Sequence, residues 1–187
     1  MTALLLSGLA LAGGLHTGIP VRGVQGLGEP SFQGVDAGWS AGVEGGGYVR
    51  VFVGHDEEEA ARWLRLGAPL SSGPPPAYTF ADEAVGDGEE FLAFRDGNVA
   101  ALVRTPAHAR QVAERLRAAI VNGGPTWPET PRLVPEDGRL RLSVHDPAGV
   151  VFQGGRLAPG SDWVFSVAPT QLVVWDAWGR PTVVLGD

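Results

Sequence analysis

Helical periodicity is confined to two short stretches of this 187-residue chain. In the first stretch, three apolar side chains fall on one helical face: Ala60, Trp63 and Leu64. Asp56 is suited to the N-cap position, because its carboxylate accepts hydrogen bonds from the free N–H groups of a first helical turn. Gly67 predicts the end of this helix.

The second stretch carries a longer apolar stripe. Its members recur every three or four residues, as on one face of an amphipathic helix: Ala109, Val112, Ala113, Leu116, Ala119 and Ile120. Thr105 as N-cap and Pro106 at the first helical position predict where this helix begins. The run Asn-Gly-Gly-Pro at 122–125 predicts its end.

Strand patterns surround these helices. Residues 48–53 are β-branched or aromatic apart from Arg50, and they predict a strand before the first helix. Two apolar runs, 90–95 and 98–104, flank Asp96-Gly97, a strong hairpin signal. Their nearly continuous apolar character predicts that both faces of the hairpin are covered. The order β-α-β-β-α predicts an α+β domain, with two helices side by side on one face of a small antiparallel sheet.

Beyond Pro135 only strand and turn patterns remain. The pattern Leu-x-Val-x-Asp-x-x-Gly occurs at 142–149 and again at 172–179, and each copy predicts a strand, a turn and a returning strand. These hairpins predict a small all-β domain, either one sheet or a sandwich. The predicted organisation is an apolar N-terminal segment at 1–14, the α+β domain at 15–124, a proline-rich linker at 125–135 and the β-hairpin-rich domain at 136–187.

The N-terminal segment predicts the compartment. The apolar run 3–11 is too short to span a bilayer, which takes about 20 residues, so no transmembrane helix is predicted. The tripeptide Ala-Leu-Ala at 10–12 has the small-x-small spacing that signal peptidase accepts. We therefore expect a secreted or periplasmic protein. The alternative is a cytoplasmic protein with an apolar N-terminal helix or strand, because no Arg precedes Arg22.

Composition and motifs exclude several kinds of function. A net charge of −7 argues against nucleic-acid binding, which needs basic patches. The absence of cysteine excludes disulfides, thiol nucleophiles and cysteine-ligated zinc. The chain has no Gly-x-Ser-x-Gly motif and no His-x-x-x-His spacing. No catalytic residue, cofactor or metal ligand is therefore assigned.

Three segments carry a resemblance to a known group of proteins. The runs Asp-Glu-Ala-Val-Gly-Asp at 82–87 and Phe-Arg-Asp-Gly-Asn-Val at 94–99, with the helix that follows, resemble extracytoplasmic lipoproteins and sensor-like domains of high-GC bacteria. The resemblance covers roughly residues 48–121 and implies an envelope-located α+β module. The chain departs from that pattern in lacking a lipidated cysteine and in placing Gly88 after Asp87. The run 173–183 is similar to Ig-like β-modules of exported proteins.

Six tryptophans are an unusually large number for a chain of this length. Trp175 and Trp178 straddle the second Asp-x-x-Gly turn, where strand alternation makes it hard to bury both on one face. Exposed tryptophans mark contact surfaces, so Trp163, Trp175 and Trp178 are the predicted partner contacts. The alternative is that these rings pack between the two domains.

These observations predict a non-enzymatic interaction or ligand-sensing module, whose partner is another protein or an envelope component. Two alternatives stay open. One is an acid/base or metal-assisted hydrolase that uses His55, Asp56 and the carboxylates of residues 82–90. The other is a structural subunit of an assembly. The sequence does not identify the ligand or the oligomeric state.

Overall fold

The computed structural model describes residues 15–33, 37–67, 81–122, 129–160 and 162–185. Strands occupy 46% of these residues, in four sheets, and the only helices among them are two short ones. The protein is therefore mostly β, and the predicted α+β class is wrong. The glycine-rich segment 15–47 has no helical stripe, and it contributes three of the strands that make the protein mostly β. The predicted segment 1–14 lies outside the described residues.

The elements in chain order are β1 (His16–Gly18), β2 (Leu27–Ser31), β3 (Gly38–Val43), β4 (Tyr48–Val53), α1 (Glu57–Gly67), β5 (Glu83–Gly86), β6 (Phe91–Asp96), β7 (Val99–Arg104), α2 (Ala109–Ala118), β8 (Val121–Asn122), β9 (Arg132–Glu136), β10 (Arg139–Ser143), β11 (Gly149–Gln153), β12 (Arg156–Leu157), β13 (Val164–Val167), β14 (Gln171–Trp175) and β15 (Pro181–Val184). The strand at 48–53 and the first helix match the positions predicted from the sequence.

The largest sheet has six antiparallel strands in the order β2-β3-β4-β7-β6-β5. Its central hairpin, β6–β7, turns at Gly97 and Asn98, one residue later than predicted, with Asp96 opposite Val99. Gly97 adopts a φ of 55°, which suits the first position of a two-residue hairpin turn. β1 and β8 form a separate two-stranded sheet beside it.

The two helices cover opposite faces of this sheet. Ala60 and Leu64 of α1 pack on one set of strand residues: Phe91, Ala93, Ala100 and Leu102. The apolar face of α2 packs on the alternating set: Leu92, Phe94, Val99, Ala101 and Val103. The prediction that the helices lie side by side on one face is wrong. The reason is that β6 and β7 are apolar on both faces, and each face needs its own cover.

α2 begins at Ala109 and not at Pro106. His108 occupies the N-cap position with a φ of 67° and makes no capping bond through its side chain. The first N–H groups of α2 instead donate to backbone carbonyls of the loop between β5 and β6, from Ala109 to Glu89 at 2.8 Å and from Arg110 to Gly88 at 2.9 Å. Because these carbonyls satisfy the helix end, the predicted Thr105 cap is not used.

The C-terminal strands form two facing sheets, of order β12-β13-β10-β9 and β11-β14-β15. They enclose a core of Leu142, Phe165, Leu172, Val174 and Val184. β9 begins inside the segment predicted as a linker. β10 and β11 belong to different sheets, so the first Asp-x-x-Gly copy is a crossover between sheets. The second copy connects β14 and β15 as a hairpin.

Candidate functional site

The turn between β14 and β15 docks on the N-terminal strands. Val21 donates its N–H to the Ala177 carbonyl at 2.9 Å, and Gly38 donates to the Gly179 carbonyl at 2.7 Å. The Trp175 ring is fully buried, with its centroid 5.1 Å from that of Phe32. Trp175 therefore offers no exposed surface to a partner in this structure. Its ring packs between the two parts of the chain instead.

The other two predicted contact residues are half-buried. Trp178 lies against Gly18, where an added Cβ would come within 3.0 Å of the Trp178 Cβ. Trp163 packs against the C-terminal core, and its carbonyl accepts the Leu142 N–H at 2.9 Å. The three tryptophans therefore take part in packing at separate places, and the structure does not bring them together as one surface.

Asp176 is buried at the base of the docking turn. Its Oδ1 accepts the N–H groups of Trp178 and Arg180, both at 2.9 Å. Its Oδ2 has no hydrogen-bond partner in the described part of the chain, and neither does the Arg180 Nε. Burial raises the pKa of the Asp176 carboxyl, against the opposing effect of these hydrogen bonds and of the Arg180 charge.

His55 and Asp56 cap α1. The Glu59 N–H donates to Asp56 Oδ1 at 2.8 Å, and the Glu59 carboxylate accepts the His55 N–H at 2.7 Å. This reciprocal arrangement resembles a capping box and fulfils the predicted N-cap role of Asp56. The Asp56 and Glu59 carboxylates therefore both stabilise the start of the helix. The His55 side chain is exposed.

Three of the five carboxylates of residues 82–90 also have structural partners. Asp82 and Glu83 lie at 3.4 and 3.6 Å from the Arg95 guanidinium, whose side chain is only 14% exposed. Asp87 Oδ1 accepts the N–H groups of residues 89, 90 and 91, and these bonds hold the pKa of its carboxyl below the usual value. Within the described ranges, no group of three or more His, Asp or Glu side chains is placed to hold a metal ion.

A polar cleft of about 480 Å³ lies where β1 and β8 meet α2 and the end of β6. The His16 Nε2 is 3.3 Å from Asp96 Oδ1, and Arg117 donates from Nε to the other Asp96 oxygen at 2.6 Å. The His16 Nδ1 contacts the Asn122 side-chain oxygen. The sequence did not predict the contact between His16 and Asp96, because 80 residues separate them. No Ser, Thr, Lys or Tyr stands among the described residues that line the cleft.

A second open cavity, of about 320 Å³, lies beside the start of α2. Gly45, Gly46 and His108 contribute to its wall. The one cation in that lining, Arg115, donates from Nη1 to the Gln25 carbonyl at 3.0 Å and from Nε to the Gln111 carbonyl at 3.3 Å. This arginine therefore connects α2 to the segment between β1 and β2.

A groove lies on the α1 side of the large sheet, where α1 does not cover the strands. Trp39 and Ala41 of β3 point into the core on the other side, so the alternating residues Gly38, Ser40 and Gly42 form the groove floor. Gly38 must be glycine, because a Cβ there would lie 2.2 Å from the Val51 carbonyl oxygen. We call this surface the β3 groove.

The walls of the β3 groove carry aromatic and polar groups. On β4, Tyr48, Arg50 and Phe52 stand opposite the three floor residues. The Arg50 guanidinium lies 5.6 Å from the centre of the Tyr48 ring. Phe52 stacks on Trp63 of α1, with ring centres 5.4 Å apart and planes at 5°.

The far wall and the floor meet at a pair of hydroxyls. The Ser31 and Ser40 oxygens are 2.8 Å apart, and Glu29 and Gln33 flank them. The groove comprises two cavities, of about 330 and 140 Å³, which share Ser31, Ser40 and Arg50. Small residues occupy positions 38, 40 and 42 of β3, and large residues occupy the opposite positions 48, 50 and 52 of β4. This period-two pattern in each strand is the sequence signal that could have indicated the groove.

No protein family, curated protein or solved structure matches this chain. No helix in the described ranges is both long enough and apolar enough to cross a membrane. The β3 groove and the His16 cleft are therefore assessed on their own chemistry.

Proposed function

We propose that the protein is a non-enzymatic ligand-binding module of the cell envelope or of the secreted fraction, and that its ligand lies in the β3 groove. One observation carries this proposal: a floor of Gly38, Ser40 and Gly42 leaves room along β3 between walls of aromatic and polar side chains. Ligand sites are concave, have apolar and aromatic surface, and place a few polar groups for orientation.

The lining of the groove favours binding over catalysis. Acid/base catalysis needs a pair of titratable groups at the substrate. Glu29 is the one carboxylate among the described residues that line the two cavities, and no histidine accompanies it. Among the groups of the alternative hydrolase, the Asp56 and Asp87 carboxylates accept backbone N–H bonds at the start of α1 and in the 87–91 segment. The His16 cleft has an imidazole–carboxylate pair, but its described lining contains no Ser, Thr, Lys or Tyr.

Location outside the cytoplasm is part of the proposal. The apolar run 3–11 and the tripeptide at 10–12 support it, as does the resemblance of residues 48–121 to extracytoplasmic domains. The test is fractionation of native cells with mass spectrometry of the isolated protein. We expect the protein in the envelope or medium, beginning at Gly13. Intact residues 1–12 on a cytoplasmic protein would contradict this part of the proposal.

The binding function is tested by an NMR screen with a library of small, chemically diverse fragments. Fragments that bind should shift the backbone signals of Ser40, Gly42 and Arg50 more than those of the His16 cleft. The matched control is Gly42→Val, which fills the groove and should abolish these shifts. Fragments that bind only elsewhere, or that are converted to new products, would refute a binding function at this groove.

A further inference from the structure

We infer that the ligand of the β3 groove is an uncharged oligosaccharide. This inference rests on the proposed function and specifies its ligand. It starts from the two ends of the groove, where Tyr48 lines the larger cavity and Trp63 lines the smaller one. Tyr48 and Phe52, the ring on which Trp63 stacks, are four residues apart on β4, a span of about 13 Å. That span suits a short chain of sugar rings better than one ring.

The aromatic groups suit the apolar faces of sugars. A pyranose ring exposes a face of C–H groups, and flat aromatic side chains offer a rigid amphipathic surface for it. Tyr48 is 38% exposed, which is enough to present part of its ring and its hydroxyl. Trp63 is half-buried, with one side of its indole held by Phe52. The Trp63 ring is therefore held in orientation before a ligand arrives, which lowers the entropic cost of binding.

The polar groups between the rings suit sugar hydroxyls. A hydroxyl both donates and accepts, so its partners should include donors, acceptors and groups that do both. Arg50 supplies donors, Glu29 supplies acceptors, and Gln33 supplies both. The Ser31 and Ser40 hydroxyls lie on the floor between them. Most of these side chains are exposed, so they are reachable from solvent.

Other ligand classes fit less well. An extended peptide pairs with unpaired strand backbone. In the groove, β3 is already paired with β2 and β4, and β4 is already paired with β3 and β7. A polyanion would be repelled by the Glu29 carboxylate and by the chain's net charge of −7. A lipid tail would bury the charged Arg50 guanidinium and offer it no hydrogen bond. A neutral sugar chain satisfies the hydroxyls and the guanidinium while covering the rings.

The experiment uses four uncharged probes that differ in linkage or in sugar unit: chitotetraose, cellotetraose, maltotetraose and laminaritetraose. Titration calorimetry and tryptophan fluorescence measure their binding to the full chain. We expect at least one probe to bind. Gly42→Val should abolish that binding without unfolding the protein, because a Cβ at Gly42 meets no atom within 4 Å. Tyr48→Ala should weaken it about tenfold.

The matched control is Leu157→Ala, in β12, because Leu157 is 39% exposed and lies on a different sheet from Tyr48. It should leave binding unchanged. No binding of any probe up to about 10 mM, together with fragments that bind in the groove, would overturn the saccharide assignment while the proposed function stands. Sugar binding that survives both Gly42→Val and Tyr48→Ala would overturn the assignment of this site.

Discussion

Replacing Asp176 by Asn tests the account of the docking turn. The Asn side-chain oxygen keeps the role of Oδ1 as acceptor for the N–H groups of Trp178 and Arg180. The NH₂ group replaces the buried Oδ2, which has no partner among the described residues. The substitution therefore removes a buried charge and preserves the shape and the two hydrogen bonds. An unpartnered buried polar atom costs about 1–3 kcal/mol in either protein and more when the group is charged. The gain is therefore the difference between a charged and a neutral group at this position, and the lost attraction to Arg180 offsets part of it.

We therefore expect Asp176→Asn to stabilise the protein by about 1 kcal/mol at pH 7, which corresponds to about 2–4 °C in Tm. The pH dependence follows from the raised folded-state pKa of Asp176, compared with about 3.8 in the unfolded chain. Below pH 3.8 both states hold the proton, and the carboxylic acid closely mimics the amide. Between the two pKa values the unfolded state releases the proton and the folded state keeps it, so wild-type stability falls as pH rises.

The assay is urea unfolding of both proteins at pH 3, 5 and 7. The stability gain of the variant should be near zero at the lowest pH and grow as the pH rises through the folded-state pKa. Asp146→Asn is the matched control, since Asp146 is the equivalent residue of the first Asp-x-x-Gly copy and its side chain is 80% exposed. It should change stability by less than about 0.5 kcal/mol. A variant at position 176 that is less stable at pH 7 would refute the reasoning and show that the Arg180 charge outweighs burial.

Four other substitutions test how the fold is held together. Asn98→Ala should cost about 3 kcal/mol, because the buried amide accepts the His16 N–H and donates to the carbonyls of residues 16 and 54; thermal unfolding measures this loss. Leu64→Ala and Leu116→Ala should each cost about 2–5 kcal/mol, and in the double variant the losses should add within about 0.5 kcal/mol. Strong coupling in that cycle would contradict their placement on opposite faces. Asp56→Ala should cost about 1 kcal/mol by loss of its cap, and a change below about 0.3 kcal/mol in urea unfolding would show that the cap is dispensable.

Local patterns predicted the helices and several strands. The Asp56 cap and the stripe through Leu64 located α1, since both the periodicity and the capping chemistry are local. The start of α2 was misplaced because the carbonyls that cap it come from residues 88 and 89, about 20 residues earlier in the chain. The placement of the helices was wrong although the continuous apolar runs of β6 and β7 contained the answer. Covered faces on both sides of a hairpin require two layers, one on each side.

The candidate site was not predicted, because it exists only when three strands are in register. Gly38 and Gly42 carried no predicted role at a site, and only the pairing of β3 with β4 makes them a groove floor. His16 and Asp96 meet only through the β1–β8 pair and the packing of α2. Contacts between segments so far apart leave no periodic pattern in the sequence. The high tryptophan count reflects packing at Trp175, which is fully buried.

The docking of the β14–β15 turn has a consequence for folding. Residues 177 and 179, which accept the N–H groups of Val21 and Gly38, lie far along the chain from their donors. A fragment that stops before β14 lacks these acceptors and leaves Phe32 without the indole that covers it. The first strands therefore complete their packing only when this turn is in place, and contacts between segments so distant in sequence form slowly during folding.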